Sequence, residues 1–393
     1  MTRAGAAVAA TLLLAAIAGA HERAPGGAER SREAEARTAA VLEHSVGPGE
    51  PGAAVLVRVD GKTVFARGFG VRDLRTRARI DGATNFRLAS MTKAITATAV
   101  ELLVRDGKLR YEQALTDVFP AFPAYGRAIT IRHLLTHTSG LPDYETLMEA
   151  AERGRGPVWT PQRQIRDEEV LALLRAEQAG LFEPGTRWSY SNSGYVVLGL
   201  VVARVSGRPF ADFLRARVFA PLGMDRTLVY EAGRNEVAER AFGHAREGAA
   251  FREADQSATS ATQGDGGVYS NLEDLARWDE ALRDATLVSP LAMKPALTPV
   301  RLADGSAPRW PAGPQGGDDL APGEPVAYGF GWFLDPWHGH ARAWHHGETM
   351  GFRSAIERFR DDRVSVVVLC NRDDLDPRSL ALELAEPYLA ARR

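Results

Sequence analysis

The chain has 393 residues, 45% hydrophobic and 25% charged, a composition that allows a large globular core and excludes fibrous or disordered architecture. Its formal net charge is −2, so there is no basic surplus to neutralise phosphates, and nucleic acid is excluded as a partner class. The single cysteine, Cys370, excludes an intrachain disulfide.

Residues 1–20 open with Arg3, continue as an uncharged Ala/Leu stretch and close in Ala18-Gly19-Ala20 before His21-Glu22-Arg23. This is the pattern of a signal peptide, so export to the periplasm or medium is expected. An uncleaved anchor is the alternative. The stretch is alanine-rich and short of the ~20 strongly apolar residues of a span, so no stable membrane span is expected after cleavage. Residues 21–45 read as a polar linker and helix. The main domain is expected over 46–372, beginning with "AAVLVRVDGKTVFARGFG", two strand-like runs around Asp60-Gly61, a pair that supplies the positive φ of a tight hairpin.

Strand signals then lapse until "YGFGWFL", "ARAWHH", "FRSAIERF" and "RVSVVVLC", the last two joined at Arg360-Asp361-Asp362-Arg363. A lone hairpin is not stable. The fold class is therefore α+β, an antiparallel sheet of N- and C-terminal strands with a mainly helical lobe, about 106–298, inserted between them. Within the lobe, Asp167 precedes "EEVLALLRAEQA" and Gly180 ends it. Ser270 and Glu273 form a capping-box pattern before "DLARWDEAL". "SGYVVLGLVVARVSG" is apolar nearly all round yet too short for a bilayer, hence a buried core helix. Residues 299–325 are a Pro/Gly/Asp-rich loop, either a lid over the site or a solvated insertion. Asp376-Pro377 opens a helix within 373–393 that covers one sheet face. Cys370, in "VSVVVLC", reads as a buried strand residue.

Of the 48 lysines and arginines, only Lys62, Lys93, Lys108 and Lys294 are lysine. Where arginine is the default cation, a retained lysine points to a function guanidinium lacks, namely losing its proton. Lys62 and Lys108 follow glycines in turns. Lys93 follows Ser90 by three residues in "ASMTKAIT", at the first turn of a helix ended by Gly107. The hydroxyl then stands beside an amine able to take its proton. The plain alternative is an N-cap serine and a solvated lysine. "WSYSNSGYVVLG" places Tyr190 and Asn192 before the buried helix. A phenol near a lysine can serve as general base, and an asparagine amide can position the amine and bind a substrate carbonyl. The plain alternative there is an aromatic loop anchor and a cap. "WHHGETMGF" puts His345 and Gly347 on a strand, where glycine admits a ligand close to the backbone and the strand edge offers an N–H to an oxyanion.

In this order, Ser90/Lys93, Tyr190/Asn192 and His345/Gly347 resemble the serine beta-lactamase and penicillin-recognising superfamily, in its branch of class C beta-lactamases, DD-peptidases, D-aminopeptidases and esterases. "FRLASMTKAITA", "ITIRHLLTHTSGLPDY", "PGTRWSYSNSGYVVLG", "GDGGVYSNLEDLARW", "YGFGW" and "HHGETMGF" extend the resemblance over about residues 50–372. It implies a sheet beside a helical lobe, with Ser90 the acylated nucleophile, Lys93 and Tyr190 sharing proton transfer, and Asn192, His345 and Gly347 binding substrate. The backbone N–H groups of Ser90 and Glu348 would form the oxyanion hole. It implies no cofactor; the partner is a small-molecule or peptide substrate with an amide or ester bond.

His345 stands where potent beta-lactamases carry lysine. A histidine is cationic only part of the time at neutral pH, so a D-amino-acid peptidase or esterase is expected ahead of a beta-lactamase or DD-carboxypeptidase, with activity following an ionisation in the histidine range. A non-catalytic binder of peptidoglycan or protein is a further alternative. His133 and His137 have the spacing of helical zinc ligands, but "HLLTH" lacks the metalloprotease glutamate. His338, His340, His345 and His346 lack an acid or cysteine to complete a set, so no metal is expected.

Overall fold

A computed structural model describes residues 27–312 and 321–390. The leader pattern of residues 1–20 and the middle of the 299–325 loop lie outside the described residues. No described helix is long and apolar enough to cross a membrane.

Helix α1 (Gly27–Ser45) precedes strands β1 (Ala53–Val59) and β2 (Lys62–Phe69). Asp60 and Gly61 have φ of 51° and 78°, as a two-residue hairpin with both central residues left-handed requires. Helix α2 (Thr92–Arg105) ends as expected at Gly107, φ 69°. The lobe follows with α3 (Asp167–Ala176), α4 (Asn192–Ser206) and α5 (Leu272–Asp284). Strands β3 (Arg342–Thr349), β4 (Phe352–Phe359) and β5 (Val364–Cys370) and helix α6 (Pro377–Ala390) complete the chain. The sheet order is β2-β1-β5-β4-β3, antiparallel throughout. The first and last strands in sequence therefore lie side by side, Ala53 opposite Cys370.

Both faces of the central strands are covered, which is why β1 reads as a near-continuous apolar run. Side chains alternate between faces along a strand. Ala53, Val55, Val57, Val364, Val366 and Val368 pack with Leu42 of α1 and Leu380, Leu384 and Leu389 of α6. Ala54, Leu56, Val367 and Leu369 share the other core with α2, α4 and α5. On that face α5 is tied to three strands by one carboxylate. Asp279 accepts from Arg358 Nε at 2.8 Å and Ser365 Oγ at 2.7 Å and lies 3.7 Å from Arg58 Nη1. Cys370 is buried, and burial pushes its thiol up to about 12, as an inert strand residue should be.

Four expectations are corrected. Strands do not lapse through the lobe. Phe86–Arg87, Val268–Ser270 and Leu228–Val229 form a small sheet, and His244–Glu247 pairs with Ala250–Glu253. "YGFGWFL" is not a strand but a doubled-back turn bridging Tyr328 to Phe333. Its glycines permit close packing: a Cβ on Gly329 would strike the Ala296 carbonyl, and one on Gly331 the Lys93–Ala94 backbone. Helix α3 starts at Asp167 rather than after it, and ends at Ala176 instead of Gly180; the Asp167 carboxylate is buried and accepts the Gln263 N–H instead. Asn271, not Ser270, caps α5, accepting from the Asp274 N–H at 2.9 Å, because Ser270 belongs to a strand.

Candidate active site

Ser90 sits on a 3-10 turn, Ala89–Met91, that feeds α2. Ala89 has φ 47°, an uncommon value for a residue with a side chain and a form of strain that clusters at functional sites. The turn is held by β3 and β4. Ser354 Oγ donates to the Leu88 carbonyl at 2.7 Å, and a Cβ on Gly347 would strike that carbonyl oxygen and Ser354 Oγ. The space at Gly347 is thus filled by the protein's own backbone. This corrects the expectation that its small size serves a ligand: it serves the approach of the Ser90 turn.

Lys93, the second residue of α2, is fully buried. Its Nζ lies 2.9 Å from Ser90 Oγ, 2.9 Å from Asn192 Oδ1 and 3.1 Å from the Asp265 carbonyl. Burial lowers its pKa from 10.5 to about 8, against the opposing pull of Asp265, Asp143 and Glu145. At neutral pH a usable fraction of the amine is unprotonated, and the 2.9 Å contact lets it take a proton from Ser90.

Tyr190 and Asn192 arrive on the segment entering α4. Ser191 is the cap, its Oγ accepting from the Gly194 N–H at 3.0 Å, and Asn192 is the first helical residue. The Tyr190 ring centre lies 4.9 Å from Lys93 Nζ and 6.2 Å from the His345 ring. His345 is buried on β3, with Nδ1 2.6 Å from the His346 carbonyl and Nε2 3.2 Å from the Tyr328 hydroxyl.

β3 is the edge strand next to this turn. Trp344 gives its N–H to Phe333 and takes the Phe333 N–H in return, both at 2.9 Å. Outward-facing backbone groups recur every second residue in an antiparallel strand. The N–H of Glu348, four residues on, therefore leaves the same outer edge. The Glu348 side chain is exposed and paired with Arg353 at 2.7 Å.

The structure thus brings Ser90, Lys93 and Asn192 into direct contact, with Tyr190 over Lys93 and beside His345, and sets β3, which carries His345, Gly347 and Glu348, against the Ser90 turn. Three neighbours escaped the sequence reading of roles. Asp265 is buried, its carbonyl on Lys93 and its carboxylate 3.4 Å from the Tyr144 hydroxyl, with Oδ1 unpartnered among the described residues. Tyr328 backs His345, and His137 packs against Tyr190. His137 and Asp265 lie inside "ITIRHLLTHTSGLPDY" and "GDGGVYSNLEDLARW", stretches quoted above for their resemblance. No group of three or more possible metal ligands occurs among the described residues, and His133 and His137 are engaged separately, with the Thr130 and Ser191 N–H groups.

An antiparallel sheet flanked by helices, with a half-buried serine bonded to a buried lysine at its edge, defines the class of serine hydrolases built on the beta-lactamase fold. The Beta-lactamase family model matches residues 38–388, and the chain belongs to that family. It is 31% identical over 350 residues to penicillin-binding protein 4* of Bacillus subtilis, covering 85% of this chain and 71% of that one. It is 28% identical over 331 residues to a D-aminopeptidase of Cereibacter sphaeroides, covering 82% of this chain but spanning only 57% of that protein's length. The D-amino acid amidase of Ochrobactrum anthropi, solved with L-phenylalanine amide, superposes with a TM-score of 0.70 at 24% identity, covering 92% of this chain and 96% of that one; this is a likeness of fold.

Proposed function

We propose that the protein is an exported hydrolase that cleaves amide bonds of D-amino-acid amides or peptides through an acyl-enzyme on Ser90. The carrying observation is the buried Lys93 amine, lowered to about 8 and 2.9 Å from Ser90 Oγ. In this reading neutral Lys93 accepts the Ser90 proton as Oγ attacks the carbonyl carbon. The N–H groups of Ser90 and Glu348 bind the oxyanion, and the proton returns through Lys93 and Tyr190 to the leaving amine. Water then attacks the ester, releasing the acid and restoring the Ser90 hydroxyl.

Charge at the cleft separates substrates. Asp265, Asp143 and Glu145 all act electrostatically on Lys93; burial raises Asp143 and lifts Glu145 to about 7, and the negative field that remains near the amine favours a free α-ammonium over a penicillin-type carboxylate. His345 in place of lysine works in the same direction. Export rests on the leader pattern of residues 1–20.

Intact-mass analysis with a fluorophosphonate should give a single adduct on the wild type and none on Ser90→Ala. Hydrolysis should then be compared across a D-alanyl anilide with a free amine, its N-acetylated form, an aryl ester and a chromogenic cephalosporin. The free-amine anilide is expected to be preferred, and Asp265→Asn to narrow its advantage over the N-acetylated form. No adduct with any acylating probe would instead identify a non-catalytic binder.

A further inference from the structure

We propose that His137 is a positioning residue, whose Nδ1 and carbonyl hold the Tyr190–Asn192 segment against Lys93. Two hydrogen bonds carry this: the Ser191 N–H donates to His137 Nδ1 at 3.0 Å, and the Ser189 N–H donates to the His137 carbonyl at 3.0 Å. Residues on both sides of Tyr190 are thus fixed by one residue. The ring also packs on Tyr190 itself, centroid to centroid 4.4 Å, and on Tyr328 and Tyr195 at 4.6 and 5.2 Å.

The backbone supports a specific demand at this position. His137 has φ 59°, a left-handed conformation in which histidine, asparagine and aspartate are enriched among residues with side chains. Because Nδ1 faces an N–H donor it must be the acceptor, which puts the ring proton on Nε2. Nε2 is buried and has no hydrogen-bond partner among the described residues. An imidazolium here would turn a proton toward the Ser191 N–H. Burial first, and then the charges of Lys93 and His345, hold the ring well below the ordinary histidine range and keep it neutral. The residue is therefore a fixed acceptor that cannot follow the proton traffic beside it.

The inference rests on the reading that Tyr190 and Asn192 serve catalysis, and its test separates the two. Asparagine tolerates the same φ and can offer Oδ1 where Nδ1 lies; leucine fills the space but accepts nothing. His137→Leu is expected to lower kcat about 10²-fold, the scale of a misplacement near 1 Å, with KM little changed and the Ser191 amide exchanging faster with solvent deuterium. His137→Asn should restore most of the rate and the amide protection. Wild-type kcat and protection in His137→Leu would overturn the proposal. So would a folded His137→Asn as impaired as the leucine variant. If His137→Leu does not fold, His137→Asn decides alone: near-wild-type turnover without an imidazole supports the acceptor role, and a folded but inactive asparagine variant refutes it. Absence of acylation in the wild type would remove the catalytic reading, while amide exchange would still report on the loop.

Discussion

Lys93 Nζ and Asn192 Oδ1 stand 2.9 Å apart, joining the first turns of two helices that are 99 residues apart in sequence. An asparagine oxygen can only accept, so it holds the amine in one orientation whether or not the amine is charged, leaving the nitrogen turned toward Ser90.

Replacing Lys93 by arginine keeps the charge and removes the ability to lose it. Lys93→Arg is expected to lower kcat by at least about 10³-fold, beyond the 10²–10⁴ range of general-base loss only if packing also suffers. Single-turnover acylation with an aryl ester measures it directly. Retention of a tenth of the wild-type rate would contradict the assignment of Lys93 as base.

The pH profile carries the same information. Since the amine must be neutral to act and its pKa is lowered to about 8, kcat/KM should rise with pH and level off above about 8. The sequence alone suggested a single ionisation in the histidine range, because the depth of burial of Lys93 is not visible there. His345→Lys, placing a stronger cation in the third motif, should move preference toward a carboxylate-bearing cephalosporin. An unchanged substrate order in that variant would refute the part given to His345.

Glu101, two turns beyond Lys93 on α2, is buried with Oε1 unpartnered among the described residues, and burial pushes its pKa from 4.5 to about 8. The unfolded chain loses this proton near 4.5 while the folded chain keeps it to about 8. Native stability should therefore fall as pH rises through that window, by about 1.4 kcal/mol per pH unit for this group, with no further change above it. Glu101→Gln should flatten the decline. Denaturant melts at pH 5, 6.5 and 8 provide the measurement, and a slope identical in wild type and variant would contradict it.

Asp279 compensates two buried guanidiniums, Arg58 and Arg358. Asp279→Ala leaves both without it, a change that typically costs about 3–5 kcal/mol. The fall in urea midpoint should come without a matching loss of kcat in the molecules that remain folded, because the network lies under α5 rather than at Ser90.

The strands at the two ends of the chain were legible because turn pairs such as Asp60-Gly61 and alternating or continuous apolar runs are local signals. Ser90 and Lys93 were legible through spacing and the rarity of lysine. The short strand Val268–Ser270 was not, since three residues cannot show a period and their pairing with Phe86–Arg87 is decided by tertiary contact. "YGFGWFL" misled for a related reason: its aromatic content suits a strand, while Gly329 and Gly331 are needed to press a turn against the Lys93 helix. His137 was seen as half of a ligand spacing; its φ and its bond to Ser191 depend on a fold that no short window contains.

Because β1 is zipped to β5, with Val55 opposite Val368, a ribosome must finish almost the whole polypeptide before the centre of the sheet has both its neighbours. Until then the valines of β1 lack their cover, and contacts of such sequence separation form slowly. Premature termination before residue 364 should thus yield no partially useful enzyme, only a chain dependent on holding factors and soon degraded.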